Sequence, residues 1–143
     1  MAVTGKLYSN VHKKLANKEI DLDTDTIKVA LCTSTYTPNQ NTHDYFDDIT
    51  NEVSGTGYTA GGATLGTKTV NVSTTTFTFD AADTVWSTAT ITARYAIIYD
   101  STPGTAATNP LIGYIDFGAD VSSTAANFTI TWNASGIFTQ TVS

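Results

Sequence analysis

Residues 91–99 read ITARYAIIY, and this stretch decides the fold class because apolar residues alternate along it. Every second residue from Ile91 to Tyr99 is apolar, and such a period of two is typical of a β-strand. The opposite face, from Thr92 to Ile98, is half apolar as well. We therefore predict a central strand that packs on both faces of its sheet.

Shorter segments with the same alternation lie on either side of this strand. They cover residues 26–34, 67–72, 76–79, 85–86, 111–117, 128–132 and 137–142. Turn residues separate them, while tight two-residue hairpin turns are scarce, which favours longer connections. We predict an all-β fold, a jelly-roll or Greek-key β-sandwich, formed by residues 1–143 as one domain.

Residues 6–17 are predicted to form a short N-terminal helix. Leu7, Val11 and Leu15 recur at a four-residue spacing, which places them on one helical face. The apolar stripe is narrow, so the helix packs on a single surface. Residues 1–20 would then be a helical arm that lies on its own domain or on a neighbouring subunit. Its lysines would be solvated or would face an acidic neighbour.

A long loop follows the first predicted strand, and we take residues 35–65 as a contact loop. It is rich in aromatic, acidic and glycine residues and shows little hydrophobic periodicity. Long ordered loops in compact domains are uncommon and often functional. Within it, residues 44–53 are predicted to form a short helix that Asp44 caps. Phe46, Ile49 and Val53 would anchor that helix to the body.

The composition excludes several classes of protein. The net charge is −6, and the segment 29–143 holds only Lys68 and Arg94 against nine acids. Such a body lacks the basic patch that nucleic-acid binding requires. No apolar run is long enough to span a membrane, and the first residues lack the apolar core of a signal peptide. We therefore expect synthesis in the cytoplasm, with neither nucleic acid nor membrane as a partner.

The usual signatures of catalysis and metal binding are missing from the sequence. His12 and His43 are far apart and have no second ligand at a metal-binding spacing. Cys32 is the single cysteine and lies in an apolar strand, which is typical of a core residue. The acids between Asp44 and Glu52 leave open a glycosidase pair or a bound cation, although acids on one exposed turn usually only solvate it. We predict a protein that is not an enzyme and holds no cofactor and no metal.

Much of the chain resembles small virion proteins of tailed bacteriophages. The segments that carry the resemblance are VAL (29–31), YTPNQ (36–40), HD (43–44), EVSGTGYTAGGATL (52–65), ARYAIIYD (93–100), PLIGYIDFG (110–118) and FTITW (128–132). The word EVSGTGY followed by the glycine pair is the most specific of these. The resemblance implies a structural role, most like a capsid decoration (cement) protein on the outer surface of the virion. Such proteins are commonly small β-sandwiches that cluster as trimers, and no catalytic residue comes with the resemblance.

This reading predicts contacts with the major capsid protein and with further copies of the same chain. Aromatic residues often anchor interfaces, so the contact loop and the arm are the expected contact regions. The predicted contact residues are Tyr36, His43, Tyr45, Phe46, Asp47, Asp48 and Tyr58 in the loop, with Lys6, Tyr8 and Lys13 in the arm. Two alternatives stay open: a carbohydrate- or receptor-binding module of a tail or head fibre, and a low-copy connector or tail component.

Overall fold

The computed structural model describes residues 2–143, so Met1, the first residue of the predicted arm, lies outside the described residues. Eight strands and one α-helix occur in this range. They are β1 (Thr4–Leu7), α1 (Val11–Ala16), β2 (Ile27–Cys32), β3 (Ala63–Thr64), β4 (Thr69–Ser73), β5 (Thr76–Asp80), β6 (Thr84–Asp100), β7 (Leu111–Ile130) and β8 (Phe138–Thr141), with a 3-10 turn at Phe46–Asp48 between β2 and β3.

The described strands form two antiparallel sheets. The larger has the order β1-β7-β6-β2-β3, and the smaller has the order β4-β5-β8. The all-β prediction with two packed sheets is confirmed. A jelly-roll or Greek-key order is not confirmed. Hairpin β6–β7 lies within the larger sheet and hairpin β4–β5 within the smaller, and each joins strands that are consecutive in sequence.

The predicted strand Ile91–Tyr99 is the second half of β6 and lies between β7 and β2, as a central strand should. Its two faces, however, are not those that simple alternation predicts. Ala93 pairs with Val121 and Tyr95 with Asp116, so two residues along β6 correspond to five along β7. This irregularity moves the later side chains of β6 to the opposite face. Ile91 and Ala93 therefore belong to the core between the sheets, whereas Tyr95 lies on the outer face of the larger sheet.

The main core fills the space between the two sheets. Phe79 of β5 is fully buried there, against apolar residues of β2, β6 and β7. The opposite face of the larger sheet is covered by the 33–62 loop, which connects β2 to β3. Tyr36, Phe46 and Ile49 of this loop pack against that face in a second, smaller core. The loop is thus a layer of the fold, whereas residues 35–65 were predicted as a contact loop.

The predicted helix 6–17 is wrong at its N-terminal end. Thr4–Leu7 is instead strand β1, paired with β7, and α1 begins only at Val11. The edge of β7 offers unpaired backbone groups, and Tyr8 N–H still donates to the Ile112 carbonyl at 3.0 Å. Pairing with β7 therefore determines the conformation of Thr4–Leu7, although the spacing of Leu7 predicted a helix. The predicted arm is therefore part of the domain over the residues that the structure describes.

The predicted helix 44–53 is reduced to the 3-10 turn. The turn ends because the backbone of Ile49 is extended, with φ −82° and ψ 126°. The N–H groups of Phe46 and Asp47 donate to the Asn109 and Ala106 carbonyls at 2.9 and 3.1 Å. Asp44 is not the cap either. The Asp48 side chain accepts a hydrogen bond from the Asp44 N–H at 2.7 Å. Among residues 2–143, no helix has both the length and the apolar character needed to cross a membrane.

Candidate binding surface

Tyr58 fixes the end of the 33–62 loop to the larger sheet. Its hydroxyl accepts a hydrogen bond from the Leu31 N–H at 2.9 Å and donates to Glu52 Oε1 at 2.7 Å. The same Glu52 oxygen accepts from the Gly61 N–H at 2.6 Å. Burial raises the pKa of Tyr58 far above its ordinary value, so the hydroxyl stays protonated. This contact accounts structurally for Glu52, Tyr58 and Gly61 of the most specific sequence word.

Tyr8 and Tyr36 lie in the smaller core and not at the surface. Each is 1% exposed. Their hydroxyl oxygens are 3.0 Å apart, and the Tyr36 hydroxyl lies 2.8 Å from His43 Nδ1. Burial raises the pKa of both tyrosines above the ordinary range. The prediction that they contact a partner is corrected, because in this fold their rings pack within the chain.

Phe46 also faces inward. Its ring stacks on Tyr99 with centroids 4.1 Å apart, and it is half-buried at the edge of the smaller core. The predicted anchoring role of Phe46 is therefore the one that the geometry supports. His43 is half-buried beside Tyr36, so it too mainly supports the loop from within.

Tyr45 is different, because it is partly exposed and is held in place by charged groups. Lys14 of α1 lies over its ring, with Nζ 3.4 Å from the centroid. The Tyr45 hydroxyl donates to Glu19 Oε2 at 3.1 Å, and this hydrogen bond raises the pKa of Tyr45. A shallow pocket beside the ring has Glu19, Tyr45, Pro103, Ala107 and Thr108 in its lining. We call these residues the Tyr45 surface.

Lys14 connects the Tyr45 surface to the interior. It is only 3% exposed. Its ammonium group forms an ion pair with the Asp44 carboxylate and donates to the Asp44 carbonyl at 2.6 Å. Buried lysines are rare unless paired, and this pair fixes Asp44, the residue directly before Tyr45. An anchor side chain that is already ordered binds with a smaller entropic cost.

The remaining predicted contact residues are dispersed. Asp47 is exposed beside Tyr45, and Asp48 is half-buried as the cap of the 3-10 turn. Lys6 is exposed on the edge strand β1, and Lys13 is exposed on α1 next to Lys14. The structure thus brings Tyr45 and Asp47 together and leaves Lys6 on a different element.

Sequence reasoning missed Lys14, Glu19 and the 101–110 loop as parts of this surface. Lys14 follows Val11 by three residues, so the helical spacing placed it on the buried face. This spacing could therefore have identified Lys14 as a buried lysine from the sequence alone. The contacts of Tyr45 with Glu19 and the 101–110 loop join residues that are distant in sequence. No local sequence pattern predicts such contacts.

A second uncovered region lies where β1 and β8 form neighbouring edges of the two sheets. A groove of about 620 Å³ opens there between the sheets. Val3 and Val121 are 64% and 42% exposed beside it. The other apolar residues that line it are Ile115, Phe117, Phe128, Ile130, Trp132 and Ile137. This groove is an apolar surface left uncovered near the free edge of β1.

The possible metal ligands and the single cysteine are dispersed or buried over residues 2–143. No group of three or more histidine, cysteine, aspartate or glutamate residues is placed to hold a metal ion within residues 2–143. Cys32 is fully buried, and burial raises the pKa of its thiol to about 12. Its thiolate form is therefore scarce at neutral pH.

Comparisons with protein-family models, curated proteins and solved structures give no match for this chain.

Proposed function

We propose that this chain is a bacteriophage structural protein that decorates the capsid and stabilises it by bridging neighbouring capsid subunits. The observation that carries the proposal is the Tyr45 surface, where a partly exposed aromatic ring is fixed by Lys14 and Glu19. Tyrosine is enriched among the residues that dominate binding energy. The resemblance of seven sequence segments to tailed-phage virion proteins supports the same conclusion.

The proposed mechanism is mass action on the assembled capsid. A protein that binds only the assembled shell stabilises it against the outward force of the packaged DNA. Many identical copies, proposed to associate as homotrimers, add avidity to each contact. The groove between β1 and β8 supplies further apolar area for contact with the capsid protein or another copy.

The alternative of a sugar-binding module has less support. Sugar-binding sites commonly present exposed aromatic platforms, whereas Trp86 and Trp132 are 5% and 9% exposed. A low-copy connector or tail component differs from a decoration protein in abundance. Quantitative gel analysis of purified virions is therefore the direct test. We expect hundreds of copies per particle, and a count of a few to a dozen would contradict decoration.

We expect Tyr45→Ala to weaken binding to undecorated capsids by about tenfold, because the ring is the proposed anchor. Tyr45→Phe is the matched control, since it keeps the ring under Lys14 and loses only the hydrogen bond to Glu19. The measurement is a titration of capsids with labelled protein, with bound copies counted after sedimentation. Equal occupancy for Tyr45→Ala and the unchanged chain would remove Tyr45 from the interface.

A further inference from the structure

Two aspartates meet where β2 begins and β6 ends. Asp100 is the last residue of β6 and pairs with Ile27, the first residue of β2. Asp25 lies just before β2, in the 21–26 turn. The next residue, Thr26, donates its N–H to Thr102 Oγ1 at 2.8 Å, so Asp25 lies beside the end of β6. A side-chain hydrogen bond with Asp25 is among the causes that raise the pKa of Asp100. The two carboxyl groups come from segments 75 residues apart in sequence, and they meet because β2 and β6 are paired.

Asp100 is buried more completely than a free carboxylate should be. It is 0% exposed, and Oδ1 accepts a hydrogen bond from the Thr102 N–H at 2.8 Å. Oδ2 is buried and has no hydrogen-bond partner among the described atoms. A buried charged oxygen without a partner is costly, and a second carboxylate beside it adds repulsion. A proton on Oδ2, donated to Asp25, would remove both costs.

Asp25 is suited to accept that proton. Its Oδ2 already accepts from the Asp21 N–H at 2.8 Å, which holds the side chain in place within the 21–26 turn. The Lys68 ammonium group also binds the carbonyl oxygens of Asp25, Asp23 and Leu22, the last two at 3.2 and 3.3 Å. The shared proton is placed on Asp100, because Oδ2 of that residue is buried and has no other partner.

We propose that Asp25 and Asp100 form a proton-dependent clasp, in which one proton shared between them holds the 21–26 turn against the 101–110 loop. The proton comes from solvent and binds Asp100 Oδ2, which then donates to Asp25. When the proton leaves, two carboxylates face each other and this end of the molecule loosens. The inference does not depend on what the protein binds, because it concerns contacts within the chain.

The neighbouring elements bring few other charges to the pair. The 101–110 loop has no charged residue, and β2 contributes Lys28, which lies opposite Tyr99. The 21–26 turn adds Asp21 and Asp23, both exposed. Uncharged hydrogen bonds connect the same segments. The Ser101 N–H donates to the Thr26 carbonyl at 2.9 Å, so the segments remain adjacent when the clasp opens.

The direction of the pH effect follows from the folded state. Burial, followed by the hydrogen bond to Asp25, raises the pKa of Asp100 from 3.8 to about 6. A raised carboxyl pKa stabilises the fold fully below pH 3.8, and that contribution is lost as the pH rises through about 6. Two other carboxyl groups act oppositely: hydrogen bonds from Thr24 and from Arg94 lower the pKa of Asp21 and Asp116. The contribution of Asp100 is lost as the pH rises above 3.8, and those of Asp21 and Asp116 are lost as the pH falls below it, so stability should be greatest near pH 3.8.

The test is the pH dependence of urea unfolding between pH 4.5 and 8, in EDTA so that no divalent cation replaces the proton. For the unchanged chain, the folding equilibrium constant should fall by tenfold to a hundredfold across this range, since about two pKa units are involved. Asp100→Asn should remove most of that dependence, because the amide donates to Asp25 at every pH. Asp25→Asn should reduce it, because the second carboxylate is gone while the burial of Asp100 remains, and Asp120→Asn, at an exposed position, should keep it in full.

Carbon-13 NMR of the carboxyl groups supplies a second readout that needs no variant. Asp100 should titrate near pH 6, and hydrogen exchange of residues 21–26 and 101–110, corrected for intrinsic rates, should increase above that pH. The inference would be overturned if Asp100 titrated near its ordinary value of 3.8, or if Asp100→Asn kept the full pH dependence. Because the NMR titration uses the unchanged chain, the test remains decisive even if the variants fail to fold.

Discussion

Replacement of Gly62 by alanine is expected to lower the free energy of unfolding by about 4 kcal/mol. Gly62 has a φ of +77°, a conformation that residues with a Cβ rarely adopt. A Cβ at this position would overlap the Val29 carbonyl oxygen and lie 2.6 Å from the Ala30 Cα. These obstacles are backbone atoms of strand β2, so no side chain can move aside to relieve them.

The consequence of Gly62→Ala should extend beyond one contact. Gly62 directly precedes β3, which pairs with β2 through Ala63 and Thr64. Displacement of this backbone would also strain the Glu52 hydrogen bond to the neighbouring Gly61. The measurement is chemical denaturation monitored by tryptophan fluorescence, since Trp86 lies against Tyr58 with ring centroids 6.1 Å apart.

Gly66→Ala provides the matched control, four residues further along the chain. A Cβ there would meet nothing within 4 Å, and Gly66 is not among the glycines with a positive φ. Its effect on the free energy of unfolding should stay within about 0.5 kcal/mol. Equal stability of Gly62→Ala and Gly66→Ala would mean that the approach of the 33–62 loop to β2 is not as close as described.

The all-β architecture could be predicted because each strand shows apolar and polar alternation within its own residues. Alternation at residues 91–99 identified the central strand, and Thr69–Ser73 and Thr76–Asp80 were recognised in the same way. The faces of the central strand could not be predicted, because the shift near Arg94 arises from pairing with β7. Strand β1 was missed for a related reason. Its conformation is imposed by the free edge of β7 and not by its own residues.

The candidate site was harder to predict, because its parts are joined only by the fold. An aromatic loop that covers its own sheet and one that grips a partner need the same residue types. Tyr36 and Tyr45 looked alike in the sequence, yet one is buried and the other is partly exposed. The pairs Lys14–Asp44 and Asp25–Asp100 span 30 and 75 residues. No local spacing rule connects residues so far apart.

Lys14→Met is expected to lower the free energy of unfolding by about 3 kcal/mol. Methionine fills much of the lysine stem's volume, so the change tests the charge and the hydrogen bonds more than the packing. Without the ammonium group, the Asp44 carboxylate and carbonyl lose their shared partner. The Asp44 side chain is 34% exposed, so water recovers part of this loss, and the estimate is placed at the low end for a buried pair.

The double variant Lys14→Met with Asp44→Asn distinguishes an ion pair from mere packing. If the cost of Lys14→Met comes from an uncompensated carboxylate, removal of that charge should restore about 1 kcal/mol or more. Asp47→Asn is the control, because Asp47 is exposed and its carboxylate forms neither a salt bridge nor a hydrogen bond in the described residues. Denaturation in urea measures each free energy, and a double variant no more stable than Lys14→Met would assign the loss to packing. Lys14→Met should also broaden the NMR signals of Tyr45, since its ring would lose the cation that covers it.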